Sequence, residues 1–130
     1  MMLLDTNIVS FMFKKHRLSN DYFPMLLGRD LAISFQTKAE LEAGSLVASW
    51  SHARRIKLDT FLEQYSLIHS DDDICSWWAY VQFVRQSQPI STNDAWIAAT
   101  ALSYDVELVT HNPKDFRAIP GLRVLTAAKG

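Results

Sequence analysis

Four acidic residues, Asp5, Glu40, Asp94 and Asp115, stand where an apolar run stops or a helical pattern starts. Carboxylates brought together at such points repel and raise one another's pKa. Hard divalent cations are the usual relief, because Mg²⁺ and Mn²⁺ prefer carboxylate oxygen and keep several of their waters. That combination suits phosphodiester hydrolysis, in which metal activates water and steadies the leaving oxygen. Other chemistries lack their residues: there is no Gly-rich phosphate loop, no G-x-S-x-G elbow and no H-E-x-x-H pair. The histidines at 16, 52, 69 and 111 are scattered and read as ordinary surface or core.

The acids also have plainer readings. Asp5 follows Met2-Leu3-Leu4, a short apolar run of the kind that forms a buried parallel strand. Thr6 and Asn7 can cap a helix from Ile8, which leaves Asp5 either as one more capping group or as a carboxylate at the carboxyl end of a central strand, where open α/β sheets bind ligands. Glu40 lies three residues after Thr37, a capping-box spacing. Asp71-Asp72-Asp73 precedes a long helical pattern and is read as capping, since acids favour a helix start.

These residues depend on the elements around them. Residues 8–15 read as a short helix, and Ser19-Asn20-Asp21 opens a second to about Leu27, with Pro24 in its first turn if Asp21 is the cap. Residues 31–35 form a second strand, Thr37 caps a third helix running toward Trp50, and residues 52–64 form a fourth with Leu58, Phe61, Leu62 and Tyr65 as its core stripe. After a strand at 66–69, Ile74, Trp77, Trp78, Val81 and Val84 share one helical face, where Cys75 reads as a core filler. The next helix, 95–104, turns Ile97, Ala101 and Tyr104 inward, while Ala98 and Ala99 allow close packing on a sheet. Strands at 107–110 and 122–125 flank a turn-rich loop, 111–116. Strands alternating with helices predict an α/β fold, its sheet mostly parallel with helices on both faces. Asp5, Glu40 and Asp115 then share one sheet edge, and Asp94 joins them only if its helix begins there.

At 130 residues the chain is expected to be a single domain, 1–130, and its 48% apolar content and four tryptophans indicate a folded globule. One cysteine excludes an intrachain disulfide. No basic leader precedes the first apolar run and no run approaches the ~20 residues that span a bilayer, so a soluble cytoplasmic protein is expected, with no membrane partner. A net charge of −1 looks unsuited to nucleic acid, but bound cations would mask the acids, and basic residues cluster at Lys14-Lys15-His16-Arg17 and at Arg54, Arg55 and Lys57.

At this point the residues carry a family likeness. Leu3-Leu4-Asp5-Thr6-Asn7-Ile8-Val9-Ser10, Thr37-Lys38-Ala39-Glu40-Leu41, the run from Pro89 through Asn93-Asp94-Ala95 to Leu102, and Leu108-Val109-Thr110-His111-Asn112-Pro113-Lys114-Asp115-Phe116 occur in the order of four motifs. Through them the chain resembles the PIN-domain ribonucleases, specifically the VapC-type toxins of bacterial toxin–antitoxin pairs. The resemblance implies a three-layer α/β/α fold around a mostly parallel sheet of four to five strands, and Mg²⁺-dependent cleavage of RNA, with Mn²⁺ as a substitute. It implies that Asp5 and Asp94 hold Mg²⁺. Asp115, as a further ligand, and Glu40 complete the acidic pocket, and Thr6, Asn7, Thr110 and Asn112 supply supporting hydrogen bonds. It further implies a homodimer and a cognate antitoxin that blocks the groove. Asn93 beside Asp94 is a mild departure from the pattern. A catalytically silent RNA- or protein-binding domain on the same fold is the alternative. A phosphoacceptor receiver domain is not, because Asp5 has no acidic neighbour.

Overall fold

A computed structural model describes residues 1–129. The first apolar run forms strand β1, Met2–Leu4, and is followed after the single residue Asp5 by helix α1, Thr6–Lys14. Helix α2 is Ser19–Leu26, strand β2 Leu31–Ser34, and helix α3 Phe35–Val47. Helix α4 spans His52–Leu62, strand β3 Ser66–Ile68, helix α5 Asp72–Val84 and helix α6 Thr92–Tyr104. Strand β4, Glu107–Val109, a 3-10 turn at Pro113–Phe116 and strand β5, Val124–Leu125, complete the described residues.

The strands pair in the order β3-β2-β1-β4-β5, and every pairing is parallel. Side chains alternate across a strand, so each strand feeds both faces of the sheet. Leu3, Ala32 and Leu108 pack on one face with the buried residues of α5 and α6. Met2, Leu4, Ile33 and Val109 pack on the other with Ile8, Val9, Tyr22, Leu26, Leu58 and Leu62. The result is the expected α/β/α sandwich with β1 at its centre. Helix α6 is buried from Ile97 to Leu102, and its alanines let it lie close to the sheet. Among the described residues no helix is long and apolar enough to cross a membrane.

Several local readings change. Helix α1 begins at Thr6, and Asp5 itself is its cap, accepting a hydrogen bond from the Thr6 N–H. Helix α2 begins at Ser19 with no side-chain cap, because its first N–H groups are taken by the carbonyls of His16, Arg17 and Leu18. Pro24 therefore falls in its second turn, where the absent N–H leaves the Asn20 carbonyl without its i+4 donor. Helix α3 starts two residues before Thr37: Ser34, the last residue of β2, caps it through the Thr37 N–H. Cys75 and Tyr104 are exposed rather than inward, since α5 and α6 bury only the sides that face the sheet and each other.

The acidic run at 71–73 behaves as a cap. Asp71 accepts from the Ile74 N–H at 2.8 Å, with Asp72 and Asp73 in the first turn of α5. Asp71→Ala is expected to lower stability by about 1 kcal/mol, the usual cost of losing such a cap, and to leave divalent-cation affinity unchanged. Chemical denaturation and metal titration of the same variant check both halves.

Candidate functional site

The sheet order turns back at β1, with β2 leaving on one side and β4 lying on the other. Ligands of open α/β sheets bind in the crevice outside the carboxyl ends of the strands at such a switch point, and Asp5 stands there, directly after β1. The residue is only 5% exposed. Its N–H is fixed by the Val109 carbonyl at 2.9 Å, and its own carbonyl accepts from Ile8 and Val9. One carboxylate oxygen accepts from the Thr6 N–H at 2.8 Å. The other accepts from the Thr110 hydroxyl at 2.7 Å, a bond that ties the end of β4 to the end of β1. Thr110 is itself fully buried and accepts from the Asn112 N–H at 3.1 Å.

Glu40 is half-buried on α3, and its carboxylate accepts from the Thr6 hydroxyl at 3.1 Å. Because Ser34 is the cap, Glu40 lies beyond the first turn and makes no capping box. Thr37, fully buried, meets the Thr6 hydroxyl at 3.0 Å and so braces the same pair. Asp94 lies in the first turn of α6, whose cap is Ser91. A helix that leads into a parallel strand runs antiparallel to it, so α6 starts at the carboxyl edge of the sheet. That brings Asp94 to the crevice, half-buried. Asp115 stands exposed on the 3-10 turn after β4 and lines a notch of about 530 Å³ with Asp94, Ser91, Arg85, Lys114 and Arg117.

The electrostatics show that the acids share one neighbourhood. Burial pushes the Asp5 carboxyl above its ordinary value, the hydrogen bonds from Thr110 and Thr6 pull it down, and the charge of Asp115 pushes it up. Glu40 is raised by burial, lowered by Thr6 and raised again by Asp5 and Asp94. Asp94 is raised by burial, lowered by Ser91, raised by Asp5 and Asp115, and eased by Arg85. The side chains do not form a ready-made cage: among the described residues no group of three or more His, Cys, Asp or Glu could hold a metal ion as placed. A cation held by one or two carboxylates, with water filling its other positions, needs no such cage.

The remaining sequence candidates fall at different distances from this crevice. Asn7 is exposed, and no side-chain hydrogen bond ties it to the site. Asn112 contributes through its backbone. Thr37, Ser34 and Arg85 were not legible as site residues. Ser34 and Thr37 read as strand end and helix cap, and Arg85 acts on backbone carbonyls, which leave no sequence pattern. The two basic clusters meet at Trp50, where Arg54 stacks 3.7 Å from the ring centre and Lys14 lies at 5.9 Å.

The comparisons with known proteins agree with this architecture. The PIN domain profile matches residues 2–122. Ribonuclease VapC1 of Haemophilus influenzae strain R2866 is 34% identical over 127 residues, 93% of each chain. The solved VapBC2 of Rickettsia felis, bound to a DNA fragment from its promoter, superposes with a TM-score of 0.84 at 28% identity, covering 96% of this chain and 97% of that one. VapBC-1 from nontypeable Haemophilus influenzae gives 0.80 at 30% identity, covering 96% of each.

A raised folded-state pKa means that protonation favours the fold. The stabilisation from protonated Glu40 is present below its ordinary value of 4.5 and is lost as pH rises through the folded value. At neutral pH the charge therefore opposes folding. Glu40→Gln keeps an oxygen for Thr6 and removes the charge. Without divalent cations it is expected to melt a few degrees higher than wild type at pH 7.5, with the gain shrinking toward pH 4. Thermal melts across that range in chelator are the check.

Proposed function

The chain belongs to the PIN-domain family, beside the VapC ribonucleases, and from that premise we propose that it is a metal-dependent endoribonuclease and the toxin of a toxin–antitoxin pair. The observation that carries this reading is the buried Asp5 carboxylate at the sheet's switch point, sharing its surroundings with Asp94, Asp115 and Glu40. Asp94 and Asp115 line the notch, while Asp5 and Glu40 are coupled to them by charge without lining it; carboxylate oxygens are the donors that Mg²⁺ takes, and Mn²⁺ accepts the same set. In this reading Asp5 and Asp94 hold the ion and Asp115 completes the pocket. The chemistry such an ion supplies when bound is activation of water and neutralisation of charge on the leaving oxygen.

The chain's own residues do the rest. Thr110 and the Thr6 N–H hold the Asp5 carboxylate in one orientation and leave each of its oxygens a further lone pair for an ion. Glu40, held by Thr6 and with its proton affinity raised, orients the attacking water and takes its proton. Ser91 fixes the first turn of α6 and with it the approach of Asp94. RNA is the substrate class. The toxin–antitoxin complexes among the structural relatives support a cognate antitoxin partner; that this partner blocks the crevice, and that the assembly is a homodimer, are part of the proposal.

The test is cleavage of single-stranded RNA by purified protein. Mg²⁺-dependent cleavage is expected, abolished by chelator and reduced at least about 100-fold in Asp94→Asn, because loss of a ligand should exceed the 10–100-fold typical of its supporting groups. Thr110→Val should fall within that 10–100-fold range. At a hundredfold excess over its dissociation constant, Mg²⁺ should stabilise the wild-type fold by about 2.7 kcal/mol, and the Asp94→Asn fold by much less. Metal-independent cleavage, or unchanged cleavage in Asp94→Asn, would refute the assignment. RNA binding without cleavage would favour a silent binding module.

A further inference from the structure

Arg85 follows the last residue of α5 and is only 6% exposed, a rare setting for a guanidinium. Its Nε donates to the Gln88 carbonyl at 2.6 Å, and its Nη1 donates to the carbonyls of Asp115 and Arg117, each at 3.0 Å. Nη2 has no hydrogen-bond partner among the described residues, yet it is not one of the buried side-chain atoms that lack one. Arg85 also lines the notch beside Asp94 and Asp115. The guanidinium thus spends two nitrogens on backbone and has a third to offer to the notch. Lys114 and Arg117, both exposed, stand on the rim of the same notch.

Arg85 makes no carboxylate ion pair among the described residues, and although part of its field falls on Asp94 it keeps positive charge to offer a ligand. The carbonyl bonds fix its plane in advance, so little rotamer freedom is lost on binding. The fork of a guanidinium matches phosphate oxygens. We propose that Arg85, with Lys114 and Arg117 on the rim, forms a phosphate subsite that holds an RNA phosphate neighbouring the one to be cleaved. The inference rests on the ribonuclease reading above. The subsite sets the strand's path: it enters over the 3-10 turn and passes Asp115 and Asp94 toward Asp5. The two bonds to the Asp115 and Arg117 carbonyls also make Arg85 a positioning residue for the turn that carries Asp115.

The test is binding of a short single-stranded oligoribonucleotide, in the Asp94→Asn background with chelator, as a function of salt. Each phosphate contact contributes roughly 0.7 to the slope of log affinity against log salt for single strands. Arg85→Gln is expected to make the slope shallower by about 0.7, and Arg85→Lys to restore it, since it keeps the charge while losing the fork. A purely structural role would weaken binding without changing the slope. Lys114→Gln with Arg117→Gln, both exposed, tests the subsite even if Arg85→Gln fails to fold, and is expected to flatten the slope by at least about 0.7. Unchanged slopes in these variants, with normal Mg²⁺-dependent cleavage by wild type, overturn the subsite alone. No oligonucleotide binding in any variant and no cleavage by wild type overturn the ribonuclease reading and the subsite with it.

Discussion

The fold is arranged around one expensive group, the carboxylate of Asp5. Removing an ionised carboxylate from water costs several kcal/mol unless a cation or several donors replace the water. Asp5 has two donors, the Thr6 N–H and the Thr110 hydroxyl, and among the described residues no basic side chain forms an ion pair with it. Asp94, Asp115 and Glu40 stand near enough to add repulsion rather than relief. Selection for stability alone would place a neutral residue here. A carboxylate in such a place is the setting that the proposed cation would relieve.

The supporting structure follows from that constraint. Asp5 caps α1, which uses the start of the helix to satisfy one carboxylate oxygen. Thr110 reaches across the strand order at the switch point to satisfy the other. Thr6 serves twice, through its N–H to Asp5 and its hydroxyl to Glu40, with Thr37 behind it. Helix α6, buried along most of its length by small residues, delivers Asp94 on a rigid support. On the far side Arg85 ties the end of α5 to the turn carrying Asp115. The site is therefore held by four segments distant in sequence, each anchored to the sheet or to α5, and little of it depends on loose loop.

Much of this was readable in the chain. The apolar triplet before Asp5, and the alternation of strands and helices, led to a parallel sheet and to a shared edge for three of the acids. Helix starts were less legible. The stretch Ser34-Phe35-Gln36-Thr37 offers two cap residues, and the choice went to Ser34 because the strand runs directly into the helix. That choice decides what Glu40 is, since it moves the residue out of a capping box and toward Thr6. Arg85 was invisible for a different reason: its partners are carbonyls, two of them about thirty residues away, and any sequence carries carbonyls. Cys75 and Tyr104 show the limit of periodicity, which finds an apolar stripe but not its edges.

The most direct measurement is a crystal of the protein grown with Mn²⁺, with anomalous scattering used to place the ion. A peak within coordination distance of carboxylate oxygens of both Asp5 and Asp94 is the result this account requires. A peak confined to other residues at saturating Mn²⁺, with Asp5 still held only by Thr6 and Thr110, would contradict it.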